Sequence, residues 1–194
     1  NSCWTERPAR QGHPCPGDGE SQSYEELYKH FHRNPELSLQ EYKTADRVES
    51  KGFGIEEVLR IGKTGIVAIL RNGDGPVVAM RGDIDALPMA GRSGKDYAAE
   101  GVTQVDETTG KETPVAHTCG HDFHTVCLLG ATRALHDHRD DWAGTFIAVF
   151  QPGEENAAGA KAMVEAGIVD KVPKPDVYLG QHVLGTLPGG AVGR

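Results

Sequence analysis

Three short apolar runs, two of them followed within a few residues by side chains that carry chemistry, constrain this fold more than any other feature. They are residues 65–71 (GIVAILR), 76–81 (PVVAMR) and 144–151 (GTFIAVFQ). Strands of this length are bounded by turn residues, and Asn72-Gly73-Asp74-Gly75 between the first two reads as a hairpin-type turn. The middle run is apolar nearly throughout, which fits a strand covered on both faces. Residues 122–136 (DFHTVCLLGATRALH) show the broad apolar face of a buried helix. A helix over 157–166, stopped by Gly167, and a short strand over 176–182 (DVYLGQH) complete the series. Strand, helix, strand, helix, strand is the order of an α/β sheet, whose ligands bind beyond the carboxyl ends of the strands.

Upstream, Ser23 and Glu26 form a capping-box pattern, and Tyr24, Leu27, Tyr28 and Phe31 recur at helical spacing. That helix should stop at Asn34-Pro35. A second helical pattern, 42–49, ends at Gly52. Residues 91–114 are polar and read as a long surface loop or small excursion. Residues 1–21 have no periodicity and read as a tail, leaving 22–194 as the folded part.

Four clusters follow the strands or precede a helix. The densest is His117-Thr118-Cys119-Gly120-His121-Asp122-Phe123-His124. Gly120 lets the backbone turn so that Cys119 and His121 can converge, and thiolate with imidazole suits zinc and its divalent neighbours. A His-rich polar loop is the plain alternative. The pattern is not a zinc finger, since no second Cys/His pair stands at finger spacing, and H-E-x-x-H is absent. By type alone Glu154-Glu155 reads two ways: acids favoured by a helix N-terminus, or one metal ligand beside one proton carrier. Asp83 and Asp85 would point the same way along a strand, although a surface turn would also hold them. The apolar Ala86-Leu87-Pro88 after them favours buried acids. His182 ends a strand; alone it fits a structural role as well as a ligand.

Composition removes several classes. With 20 basic and 28 acidic residues the net charge is −8, which offers no footprint for nucleic acid or an anionic membrane. No apolar run approaches the roughly 20 residues of a spanning helix. Cys3, Cys15, Cys119 and Cys127 are too few for a disulfide framework. An acidic chain with an unpaired ligand thiol fits the cytoplasm; a Cys3–Cys15 pair would instead point to secretion.

Taken in order, MRGDIDALPM, HTCGHDFHTVCLLGA, VFQPGEENAAGAKAMVEAG and GQHV resemble the aminoacylase/carboxypeptidase metallopeptidases, most closely their hippurate-hydrolase and indole-acetyl-amino-acid-hydrolase branch. HRNPELSLQE at 32–41 is similar to the same branch. The resemblance implies a mixed, largely parallel α/β sheet flanked by helices, as in zinc peptidases, with a smaller inserted lid domain. It implies two divalent ions, zinc or manganese, held by Cys119, His121, Glu155 and His182. Glu154 would be the general base and Asp85 the acid that orients the ligands. The implied reaction is hydrolysis of the amide bond of N-acyl amino acids, with no nucleic-acid or membrane partner.

The resemblance stops near GTLPGGAVGR, so the lid, the returning part of the catalytic domain and a last histidine ligand have no counterpart here. The lid is the usual dimerising surface of full-length relatives. Gly91, Leu184 and an apparent insertion over 101–114 also depart from the branch pattern. Two further readings follow: a truncated, non-catalytic metal-binding paralogue or fragment, and a carboxypeptidase or dipeptidase acting on small peptides.

Overall fold

The computed structural model describes residues 18–50 and 57–193. Most of the expected tail, with Cys3 and Cys15, and the expected stop at Gly52 lie outside the described residues. Helix α1 (Asp18–Arg33) begins earlier than the pattern at Ser23 predicts and ends at the expected Asn34-Pro35. Helix α2 (Tyr42–Ser50) follows, its first turn capped by the buried Glu36 carboxylate. That carboxylate accepts from the Lys43 and Thr44 amides at 3.1 and 2.7 Å and from the Thr44 hydroxyl at 2.9 Å. Such a partner satisfies amides a helix start leaves open, and its charge suits the dipole.

The strands are β1 (Glu57–Ile61), β2 (Gly65–Asn72), β3 (Val77–Asp83), the small pair β4 (Thr103–Val105) and β5 (Glu112–Pro114), β6 (Gly144–Gln151) and β7 (Val177–Gly180). Helix α3 (His121–Asp137) lies between β5 and β6, and the short α4 (Gly159–Glu165) and α5 (Ile168–Lys171) lie between β6 and β7. The main sheet is mixed, in the order β1-β2-β6-β3-β7. β6, β3 and β7 are parallel neighbours, while β2 runs antiparallel to both β1 and β6.

The expected hairpin between the first two apolar runs does not form. β6 enters between β2 and β3, so the Asn72–Gly75 turn spans a gap one strand wide. Two glycines make the entry possible. Gly144, at φ +121°, packs so tightly on Pro76 that a Cβ would strike its carbonyl, and a Cβ on Gly75 would lie 2.7 Å from the Ala143 carbonyl. The true hairpin is β1–β2, and its first strand carries Glu57 and Arg60.

Period-two alternation splits the sheet's apolar residues between two layers. Ile66, Ala68, Leu70, Phe146, Ala148 and Phe150 face α1, α2 and α3, meeting Leu27, Phe31, Val48, Leu128 and Leu129. Val67, Ile69, Ile147 and Val149 face the other way onto Met163 of α4. Each fully buried aliphatic side chain contributes about 1.5–3 kcal/mol. The α4 helix begins two residues later than the pattern predicts, because Ala157 adopts φ +56° in the preceding turn.

Three parallel strands end on one rim, and their carboxyl ends supply Asp83 with Asp85, Glu154 with Glu155, and His182. The loop entering α3 adds Cys119 and His121. The β4–β5 pair, within the apparent insertion, ties down residues 37–40: the Leu37 amide donates to Gln104 Oε1 at 2.8 Å, and Gln40 Nε2 to the Val105 carbonyl at 3.2 Å.

Candidate metal centre

His121 is the first residue of α3 and is fully buried. Its Nδ1–H donates to the Asp85 carbonyl at 3.0 Å and to Asp85 Oδ1 at 3.1 Å. In the neutral ring Nε2 then offers its lone pair to a cation, and it faces Asp83 Oδ2 at 3.6 Å, Glu154 Oε2 at 3.7 Å and Glu155 Oε1 at 3.8 Å. Asp85 is the organiser. Its Oδ2 accepts the Ser38 hydroxyl at 2.6 Å and the Glu155 amide at 3.0 Å, so one carboxylate fixes both the imidazole and the Glu155 backbone. Burial raises the Asp85 pKa, but the hydrogen bonds from His121, Ser38 and Glu155 outweigh it and hold the group below its ordinary value. Asp83 behaves likewise: burial is outweighed by the His124 hydrogen bond and the charges of His121 and Arg81.

Cys119 Sγ lies 3.4 Å from His182 Nε2, and His182 Nδ1 donates to the Val183 carbonyl at 2.7 Å. Burial, then the negative charges of Glu155, Glu154 and Asp83, push the Cys119 thiol up to about 11. A thiol so surrounded is a poor nucleophile but a sound ligand once a cation offsets the carboxylates. Among the described residues, three ligand groups have donor atoms within 4.8 Å of one another: Cys119 with His121 and His182, His121 with Glu154 and Glu155, and Asp83 with His121 and His124. His121 belongs to all three. The six residues singled out from the sequence, Asp85, Cys119, His121, Glu154, Glu155 and His182, thus meet around one imidazole. Glu154 differs from its neighbour in being 40% exposed at the side chain, against 16% for Glu155, and among the described residues no hydrogen bond holds its carboxylate.

Sequence reasoning passed over several contributors. His32 Nδ1 lies 2.7 Å from Asp122 Oδ2. Ser38 and Glu41 sit in the 32–41 segment, which the resemblance marks without giving them a role. His124 stands one helical turn from His121, a spacing that puts both on one face of α3. His117 is buried with both ring nitrogens lacking a hydrogen bond, and burial draws its pKa down to about 4. It lines a cleft of about 610 Å³ beside Cys119, together with Tyr28, His32, Phe123 and Val183.

Residues 79–193 match the family model described as peptidase family M20/M25/M40, more than half of the chain. The chain belongs to that family. Among M20/M25/M40 relatives, N-acetylcysteine deacetylase of Bacillus subtilis (strain 168) is 37% identical over 172 residues, covering 86% of this chain and 41% of the relative. N-acyl-L-amino acid amidohydrolase of Geobacillus stearothermophilus is 38% identical, covering 85% and 42%. IAA-amino acid hydrolase ILR1-like 4 of Arabidopsis thaliana is 36% identical, covering 86% and 35%. Among solved structures, the YXEP protein of Bacillus subtilis, described as a dinuclear metal-binding peptidase of the M20 family, superposes with a TM-score of 0.75 at 33% identity. That alignment covers 89% of this chain and 45% of YXEP. The chain therefore spans less than half the length of these M20/M25/M40 relatives.

Proposed function

We propose that this chain is the metal-binding part of an amidohydrolase that cleaves the amide bond of N-acyl amino acids. Cys119, His121, Glu155 and His182 would hold two divalent cations, zinc or manganese. One observation carries the reading: His121 Nε2 and Glu155 Oε1 are buried polar atoms 3.8 Å apart without a hydrogen bond among the described residues, and Asp83 Oδ2, paired with Arg81 Nη1 at 2.7 Å, stands 3.6 Å from the same nitrogen. Burying such groups against one another is costly unless a cation joins them. The mix of thiol, imidazole and carboxylate fits zinc, and the carboxylates are equally compatible with manganese.

When bound, the cations would supply a nucleophilic water near neutral pH and polarise the substrate carbonyl. Glu154 is suited to move the proton: its Oε2 faces the site, and its carboxylate is held by no hydrogen bond among the described residues. It would take a proton from water at Oε2 and deliver it to the departing amine. Asp85 keeps the His121 lone pair directed inward, as carboxylate partners of metal-binding imidazoles do. The substrate class is supported by relatives named for deacetylating N-acetylcysteine and hydrolysing N-acyl-L-amino acids.

A second reading is metal binding without turnover, since the clustered donors alone suffice to hold a cation. Val177, Tyr178 and Leu179 of the edge strand β7 are exposed, so the isolated chain is expected to self-associate. The cytoplasm suits the Cys119 thiol, and no helix among the described residues is long and apolar enough to cross a membrane. Metal analysis of the purified chain, with hydrolysis of a panel of N-acyl amino acids, separates the readings. Two equivalents with turnover support the hydrolase, metal without turnover supports the second reading, and neither would end both.

A further inference from the structure

Of the histidines near the centre, His124 belongs to a possible ligand group, yet its ring atoms are committed elsewhere. Nδ1 lies 2.6 Å from Asp83 Oδ1, and Nε2 lies 2.9 Å from the Val183 amide nitrogen. An amide N–H can only donate, so Nε2 must be the acceptor and Nδ1 must carry the proton given to Asp83. No lone pair is left for a cation. The residue also accepts through its backbone: Gln181 Nε2 donates to the His124 carbonyl at 3.1 Å. Gln181 and Val183 are the two neighbours of His182, so both sides of that residue are tied to a single position on α3.

We propose that His124 is a positioning residue, not a ligand, which fixes where His182 presents Nε2 to the metal centre. Three observations support it besides the hydrogen bonds. His182 follows β7, all four of whose residues are exposed, so the strand itself offers little packing to locate it. The rings of His124 and His182 meet edge to face with centroids 4.7 Å apart. Gly120, at φ +100°, leaves room for Val183, since a Cβ at 120 would run into Val183 Cγ2. The chain thus forms a relay from Asp83 through the His124 imidazole to the Val183 amide. Its consequence for metal binding rests on the reading of the centre given above, whereas the clamp itself does not.

Two substitutions separate the two ends of the ring. Asparagine places a polar atom near the old Nδ1 and keeps the Asp83 bond; glutamine reaches the old Nε2 and keeps an acceptor for Val183. Nitrogen-15 spectra of the metal-free chain are expected to show His124 in the Nδ1–H tautomer, with the Val183 amide exchanging more slowly in wild type than in His124→Asn. Titration with zinc is expected to show the His182-side equivalent weakened about ten- to a hundredfold in His124→Asn. His124→Gln is expected to restore it to within a few fold. If wild type takes up no zinc, the metal reading fails, and the tautomer and the exchange rates still decide the clamp. An Nε2–H tautomer, an unprotected Val183 amide, or loss of all zinc by both variants as complete as in Cys119→Ser would overturn the proposal.

Discussion

Replacing Glu41 by glutamine should stabilise the chain by an amount that grows as pH rises from about 4.5 to a little above 7. The Glu41 carboxyl is fully buried beneath the turn that carries Glu154 and Glu155. Oε1 accepts the Leu39 and Gly153 amides, each at 2.8 Å, and Oε2 accepts the Thr64 hydroxyl at 2.7 Å. Burial outweighs these three hydrogen bonds and raises the pKa from the ordinary 4.5 to about 7. Between those values the native chain holds a proton that the unfolded chain has lost, so stability falls as pH rises through the interval. At about 1.4 kcal/mol per pH unit the loss is about 3 kcal/mol, complete a little above pH 7. A glutamine can keep every partner, its oxygen accepting the two amides and its NH₂ donating to Thr64, whose hydroxyl turns to accept. Urea unfolding of both chains in chelator, from pH 4.5 to 8, measures the difference while other titrating groups cancel. The two should agree near pH 4.5, and Glu41→Gln should be about 3 kcal/mol more stable at pH 8. A difference that does not change with pH, or a variant less stable at pH 8, would refute the reasoning.

Other outcomes follow from single contacts. Glu154→Gln should retain both metals but lose at least about a hundredfold in turnover, whereas Cys119→Ser should lose metal; dialysis with metal analysis beside a hydrolysis assay compares them. Gly120→Ala should cost about 1–2 kcal/mol for its left-handed backbone alone, and more for the collision with Val183, read from the urea midpoint. Glu36→Ala should cost about 1–2 kcal/mol by removing the cap of α2, with faster exchange of the Lys43 and Thr44 amides as the local signature.

Local patterns predicted elements well and pairings badly, for a physical reason. The run at 144–151 coincides with β6, and the apolar face at 122–136 lies within α3, because both signals are properties of contiguous residues. The Asn72–Gly75 turn looks like a hairpin for the same reason, but pairing is decided by β6, whose residues lie some 70 positions further along. β1 escaped notice since Glu57 and Arg60 interrupt its pattern; each pays its way through a partner, Arg71 for the first, Asp46 and Glu49 for the second. At the candidate metal centre residue type left Glu154, Glu155 and His182 open between a plain and a chemical role, and the resemblance nominated them together with Cys119 and His121. The part played by His124 was not legible, because it is set by atoms 41 and 59 positions away. Glu41 was hidden likewise, its partner Gly153 being 112 positions distant.

The sharing of one imidazole among all three ligand groups makes the centre a hub with spokes. Losing a spoke such as the ring of His182 leaves a reduced but recognisable set of donors around the middle. Losing His121 itself removes the one donor that the three groups share. Tolerance to change at this rim should therefore be uneven, graded around its circumference and abrupt at its axle.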